Sequence, residues 1–430
     1  MKKILTTAMS LILAASMVGC SSGTPETNDD GNSEETNETA SAGKIGVIYV
    51  GDDNEGYTAA HIEGIHEAAK ALGIADDQII EKFEIGETQD CKEAAVDLVE
   101  SGATLVISNS YGHQSFMEEA AAEYPDVTFI SMTGDTAAAS GLPNFKNAFN
   151  QTYQSRYVSG VVAGMKLKEL IDNGTVTKEN LPDAFTGDDI KIGYVGAYPY
   201  AEVVSGYTAF YLGVKSVVEN VHMFVEYTNS WADQTKESET ANSLIAKGCV
   251  IISQHADTTG APAAIETALN SGKTVYSVGY NVSMLAVAPK AALTSSSNDW
   301  SVFYKYAFKK WLDGEAMDIA TDWSEGYETG AVCITELGES VAEGTAEKVA
   351  EVEAAIKDGT LNVFDASTFT VDGKTIDEKT GVDINFDPAF EPDIFPVRDG
   401  VFYESDTKNG MRSAPYFSLR IDGIEEAGAN

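Results

Sequence analysis

Residues 44 to 64, KIGVIYVGDDNEGYTAAHIEG, hold an apolar run, a polar break and the start of a helix. Ile45, Val47, Ile48 and Val50 make the run nearly continuous rather than alternating, as expected of a parallel strand covered on both faces. Gly51-Asp52-Asp53-Asn54 interrupts it, and Ile62, Ile65, Ala69 and Leu72 then recur at helical spacing. Open sheets built from such strand-turn-helix units bind ligands beyond the carboxyl ends of their strands. Asp53, Asn54, Tyr57 and Thr58 fall there, although the paired carboxylates Asp52 and Asp53 also read as a helix N-terminal cap.

The unit repeats. β-rich runs at 78–85, 104–109, 127–132 and 144–150 are separated by helical patterns at 91–100 and 115–124, which predicts a doubly wound parallel sheet. A helix over 155–170 and an irregular stretch over 175–189 follow. KIGYVGAY at 191–198 then restarts the pattern, with strands expected at 221–228, 249–254 and 274–279 and helices between them. Two Rossmann-like lobes are the economical reading, 44–150 plus about 281–325 in the first and 151–280 in the second. Crossings are expected near 151, near 279–281 and past 322. Residues 326–430 form a C-terminal extension with a helix over 341–357 and a hairpin over 362–374.

Ahead of the first lobe, residues 1–19 carry two lysines, an apolar stretch and small residues, the pattern of a secretory signal too short to span a bilayer. Residues 20–43 are a polar tether with six acids and no aromatic side chain, expected to be disordered and to reach about 25 Å. The net charge of −39 falls to −41 once Lys2 and Lys3 leave with the signal, which argues against nucleic acid or anionic lipid as a partner of the folded body. Cys91, Cys249 and Cys333 are few, odd in number and far apart, matching neither a disulfide framework nor a zinc site. The five histidines include no pair at metal spacing, so neither a metal nor a cofactor is expected.

At or beyond the predicted strand ends stand Tyr57, Tyr111, Tyr198, Tyr200 and Trp231, with Asn109, Ser110, Asn229, Asn281 and Asn298 and the carboxylates Glu202 and Asp257 among them. Rings that stack and amides that both donate and accept suit a flat, mostly neutral heterocycle, whereas a phosphate or dicarboxylate would call for Arg or Lys. Arg156 and Lys290, the basic residues near these turns, read as structural. No GxSxG elbow, P-loop or aspartate cluster at metal spacing points to an enzyme. A surface-anchored nucleoside hydrolase and a ligand receptor for a sensor protein stand as the alternatives.

Two resemblances sharpen this reading. Met17-Val18-Gly19-Cys20 resembles the lipobox of bacterial lipoproteins, with Met where Leu is usual, which implies a palmitate-type acyl anchor on Cys20 at the outer face of the cell membrane. NQTYQSRYVSGVVAGM (150–165), YVGAYPYAEVVSGYTAF (194–210), TNSWADQTKE (228–237), SQHADTTGAP (253–262) and GYNVSMLAVAPKAALTS (279–295) together resemble the basic membrane protein, or PnrA-like, family. These are lipoprotein solute-binding components of ABC importers for purine nucleosides and related compounds. The resemblance implies a two-lobed periplasmic-binding-protein fold of type I, a monomer, a purine base or nucleoside as ligand and an importer permease as partner. It places the family's purine-stacking aromatic at Tyr57, with Thr58 where nucleoside-binding members have Asn. Trp231 matches the Ser-Trp motif of one branch, and Asp257 the acid after Gln-His. The ribose-holding Asp and Lys of nucleoside binders correspond to Asn281 and about Asn298, which places the chain nearer the branch expected to take free bases.

Overall fold

The computed structural model describes residues 43–427 apart from 385, 386 and 388, so the signal-like segment, Cys20 and the tether up to residue 42 lie outside the described residues. The chain runs β1 (Lys44–Ile48), α1 (Gly56–Leu72), β2 (Ile79–Lys82), α2 (Gln89–Glu100), β3 (Ala103–Ser108), α3 (Gln114–Glu123), β4 (Thr128–Met132), α4 (Ala137–Ser140) and β5 (Phe145–Ala148). α5 (Thr152–Asp172) then leads to β6 (Phe185–Thr186), β7 (Asp189–Gly196), α6 (Ala201–Lys215), β8 (Val221–Tyr227), α7 (Gln234–Ala246), β9 (Ile251–Gln254), α8 (Gly260–Asn270), β10 (Tyr276–Tyr280) and β11 (Ala292–Asn298). α9 (Ser301–Leu312), β12 (Asp322–Trp323), β13 (Val332–Ile334), α10 (Thr345–Lys357), β14 (Val397–Arg398), β15 (Val401–Phe402) and β16 (Ile424–Ala427) complete it.

β1 is buried from Ile45 onward because it lies inside a parallel sheet ordered β12-β5-β4-β3-β1-β2. Ile45 and Val47 face the layer of α1 and α9 with Trp300 and Phe303, while Ile48 faces the layer of α2 and α3 with Leu98 and Met117. The second sheet, β13-β11-β10-β9-β7-β8-β16, repeats the order of the first through β8-β7-β9-β10-β11. Both sheets therefore reverse direction of growth at the first strand of their lobe, and the crevices at β1/β3 and β7/β9 are where such folds bind.

β11 pairs with β10 in parallel, so the second sheet extends to Asn298 and the chain returns to the first lobe through residues 299–300. The sequence placed that return near 279–281. Ala292–Asn298 reads ALTSSSN, whose serines carry too little β signal to mark a buried strand, yet all seven residues are buried. A further crossing lies between β12, on the first sheet, and β13, on the second. The irregular stretch contains the short strand β6, paired with β7. Residues 362–369 form no strand; only Asp365 bridges Val401, and Val371 bridges Lys374 across a turn.

α5 and α6 cross so closely that a methyl group on Gly160 would strike the Phe210 carbonyl, and one on Gly213 that of Tyr157. The extension is a wall of the second lobe. β16 runs parallel to β8, and Tyr207 and Tyr227 both donate to Glu426. Phe364, Phe402 and Phe417 pack together, with Phe364 stacked on Tyr153 of α5 at 5.1 Å. The extension also reaches the first lobe. Arg412 pairs with Asp135 at 3.2 Å, and Asp322 accepts from both the amide and the hydroxyl of Ser413.

Candidate functional site

Turns at the carboxyl ends of both sheets meet around a cavity of about 190 Å³. The first lobe contributes Glu55, Tyr57, Glu87, Ser110, Tyr111 and Thr133; the second contributes Glu202, Trp231, Asp257 and Tyr280. The lobes touch beside it, where the Gly56 amide reaches the Asp257 carbonyl at 3.4 Å and the rings of Tyr111 and Tyr200 lie 6.3 Å apart.

The turn after β1 is built by three side chains. Asp52 accepts from the Asn54 amide at 2.9 Å, closing an Asx turn, and Glu55 rather than Asp52 or Asp53 caps α1, accepting from the amides of Tyr57 and Thr58. The cap fixes the direction of Tyr57, whose hydroxyl donates to the Asn109 carbonyl and whose ring lies edge-on to His61 at 4.5 Å. Burial holds this phenol well above its ordinary pKa and keeps it neutral. Thr58 and Asn109 sit behind the wall: Asn109 donates to Thr58 at 3.2 Å and accepts from the Val50 amide at 2.8 Å, tying the turn after β1 to the turn after β3. Ser110 lines the cavity and donates to Glu87 at 2.5 Å.

On the second lobe Trp231 meets Tyr198 edge-on at 5.3 Å, and Tyr198 stacks on Tyr200 at 5.2 Å. Tyr200 lines the adjoining cavity rather than the first one. Asn229 is exposed, in a left-handed turn at φ 53°. Asp257 receives the Asn281 amide group at 2.7 Å, so Asn281 reaches the cavity only through it. Asn298 accepts from Thr152 at 2.8 Å and lies outside the lining. Arg156 is fully buried, donates to the Gln254 carbonyl at 2.6 Å and stacks its guanidinium 3.7 Å from the centre of the Tyr280 ring. Lys290 is exposed and bonded to Asn270.

The site is rich in carboxyl groups. Burial raises the Glu202 carboxyl to about 7, with the Arg156 charge opposing it. Burial first, and then the charges of Glu55, Glu237 and Glu202, hold Asp257 well above the usual carboxylate range. His255 lies 3.3 Å from both Glu202 and the Tyr194 hydroxyl, and burial aided by Arg156 keeps it neutral. A proton on Nε2 facing Glu202 and a Tyr194 hydroxyl donating to Nδ1 satisfy both ring nitrogens. Among the described residues no three His, Cys, Asp or Glu side chains gather as a metal site, and no helix is long and apolar enough to cross a membrane. Cys91, Cys249 and Cys333 are free thiols.

Glu55, Glu87, Thr133 and Tyr280 escape sequence reasoning. Tyr280 alone left a signal, at the end of the run 274–279, whereas Glu87 comes from a loop after an edge strand that only folding brings to the cleft. A second cavity of about 180 Å³ adjoins the first, shares Tyr111, Thr133 and Glu202 with it, and is walled by Ile384, Arg412 and Pro415 of the extension.

The model of the PnrA-like ABC transporter substrate-binding proteins matches residues 42–366. The chain is 30% identical over 364 residues to a purine-binding protein of Brucella abortus, across 82% of this chain and 94% of that one. It is 29% identical over 352 residues to a Haloferax volcanii protein that carries the name of an ABC transporter glucose-binding protein, across 82% of this chain and 80% of the other. Among solved structures, an ABC transporter solute-binding protein of Conexibacter woesei has the same fold, with a TM-score of 0.56 at 20% identity over 74% of this chain and 97% of that one.

Proposed function

The chain belongs to the PnrA-like family of ABC transporter substrate-binding proteins, and from that premise we propose that it captures a purine-type solute between its lobes, the free base in preference to the nucleoside, and delivers it to an importer. The family consists of solute-binding proteins that act outside the cytoplasm. A purine-binding relative that aligns over most of this chain supports the ligand class, as does a cleft faced by Tyr57, Tyr111, Trp231 and Tyr280, since each stacked base gains about 1–3 kcal/mol.

One observation carries the preference for a base. At the two positions matching the ribose-holding Asp and Lys of nucleoside binders the chain has amides, and both are engaged within the protein, Asn281 with Asp257 and Asn298 with Thr152. A ribose would lose a charged acceptor and a charged donor, each worth about 1.5–3 kcal/mol. Calorimetric titration with hypoxanthine against inosine tests this: the base should bind at least as tightly. A clear preference for inosine would remove the base assignment, and binding of D-glucose with no purine response would remove the purine one.

Cys20 is the proposed acylation site, holding the protein on the outer face of the membrane at the end of its tether. Cys20→Ser should leave ligand affinity unchanged and abolish partition into detergent; partition that persists argues against the anchor.

A further inference from the structure

The hydrogen-bond donors on the lining of the first cavity divide into spent and free. Tyr57 donates to the Asn109 carbonyl, Ser110 to Glu87 and Thr133 to the Met132 carbonyl. The Tyr280 hydroxyl and the Trp231 indole N–H have no hydrogen-bond partner among the described residues, yet both side chains line the cavity. A donor left open where bulk water is excluded costs free energy until something accepts from it.

Tyr280 is the more firmly fixed of the two. It ends β10, is 5% exposed, carries the Arg156 guanidinium over its ring at 3.7 Å and packs against His255 at 4.9 Å. With the ring so covered, the hydroxyl end is what remains to meet the cavity. Burial raises this phenol above its ordinary pKa although the Arg156 charge opposes it, so the hydroxyl keeps its proton at neutral pH. Arg156 is a buried cation whose Nε and Nη2 have no partner, and its charge over the ring draws electron density from the phenol and strengthens the O–H as a donor. Trp231 also packs against His255, at 6.4 Å, so both open donors stand on the second lobe about one imidazole.

A carbonyl oxygen has two lone pairs and takes two hydrogen bonds, a ring nitrogen takes one, and an exocyclic amino group sets donor against donor. Burial holds Asp257 well above the usual carboxylate range and raises Glu202 to about 7, so the acids of this lobe oppose such an oxygen with less negative charge than their number implies. Resting on the purine reading above, we propose that Tyr280 is a specificity-determining residue of the cleft, donating together with Trp231 to an oxo group of the ligand, and that oxopurines are therefore preferred to aminopurines. Sites built to hydrogen-bond one group reject its mismatch strongly, because their own buried donors are then left unpaired.

Hypoxanthine and adenine share one ring frame and differ at C6, oxo in the first and amino in the second, with the N1 proton following the oxo group. Calorimetric titration of the intact protein at pH 7 is expected to find hypoxanthine about tenfold tighter than adenine. Tyr280→Phe keeps the ring under Arg156 and removes only the hydroxyl. It should weaken hypoxanthine about fivefold and leave adenine within about twofold, so that the preference shrinks. Trp231 is half-buried, so Trp231→Phe tests the second donor with less risk to the fold, and it should narrow the same ratio. Adenine binding as tightly as hypoxanthine, or a ratio unchanged in both variants, overturns the proposal while leaving purine binding intact. Binding of neither base overturns the purine reading and the proposal with it.

Discussion

Glu202 links the cleft to the stability of the fold. Its carboxyl sits between His255 and the buried Arg156 and titrates near 7 instead of in the ordinary glutamate range, because burial penalises the charged form more than Arg156 supports it. A raised acid binds its proton more readily in the folded chain than in the unfolded one. Its contribution to stability is therefore fully present below about pH 4.5, falls as pH rises, and is lost above about 7. Glu202→Gln removes the ionisation and keeps a group able to bond His255. The variant should exceed the parent in stability at pH 8 by up to about 3 kcal/mol, with the gap closing by pH 5. Urea denaturation at the two pH values measures it, and a gap that does not change with pH contradicts the account. At this scale the sequence offered Glu202 and Asp257 as ligand contacts. That they also crowd one another with Glu55 and Glu237 follows only from the turns folding together.

Among the elements, the α5–α6 pair is the one on which the second lobe depends. α5 leaves the first lobe just after β5 and lies along α6, whose first turn carries Glu202 into the cleft. Their contact depends on Gly160 and Gly213, where a side chain would meet the opposite backbone. Gly213→Ala should cost about 1–3 kcal/mol through overpacking, seen as a lower urea midpoint, because the obstacle is a carbonyl that no rotamer change can move. An unchanged midpoint would mean that the helices separate freely. The strand-helix alternation of both lobes was legible because buried parallel strands read as apolar runs between Gly and Asp breaks. β11 was not, since ALTSSSN is buried by its neighbours rather than by its own hydrophobicity, and β16 was not, since IEEA becomes a strand only on the free edge of β8.

In the whole molecule, two lobes joined by three crossings hold a cavity to which both contribute, the arrangement from which closure about a hinge on a bound solute is expected. The bond from Gly56 to Asp257 and the approach of Tyr111 to Tyr200 span the mouth, and the extension adds the Arg412–Asp135 pair beside it. A saturating purine should reduce the radius of gyration in small-angle scattering of ligand-free protein; an identical radius with and without ligand contradicts closure. The sequence by itself determined the α/β class, the two repeated halves and the family, because periodicity and motif order survive without contacts. It also marked Tyr57, Tyr111, Trp231 and Asp257 as cleft residues by their place after strands. Only the tertiary structure decided that Thr58 and Asn109 brace one another behind the wall, that Asn298 faces Thr152, and that Glu87 and the extension come to the cleft. Which side of a turn a residue faces, and which distant loop meets it, depends on how the two sheets are set against each other, and no local pattern encodes that.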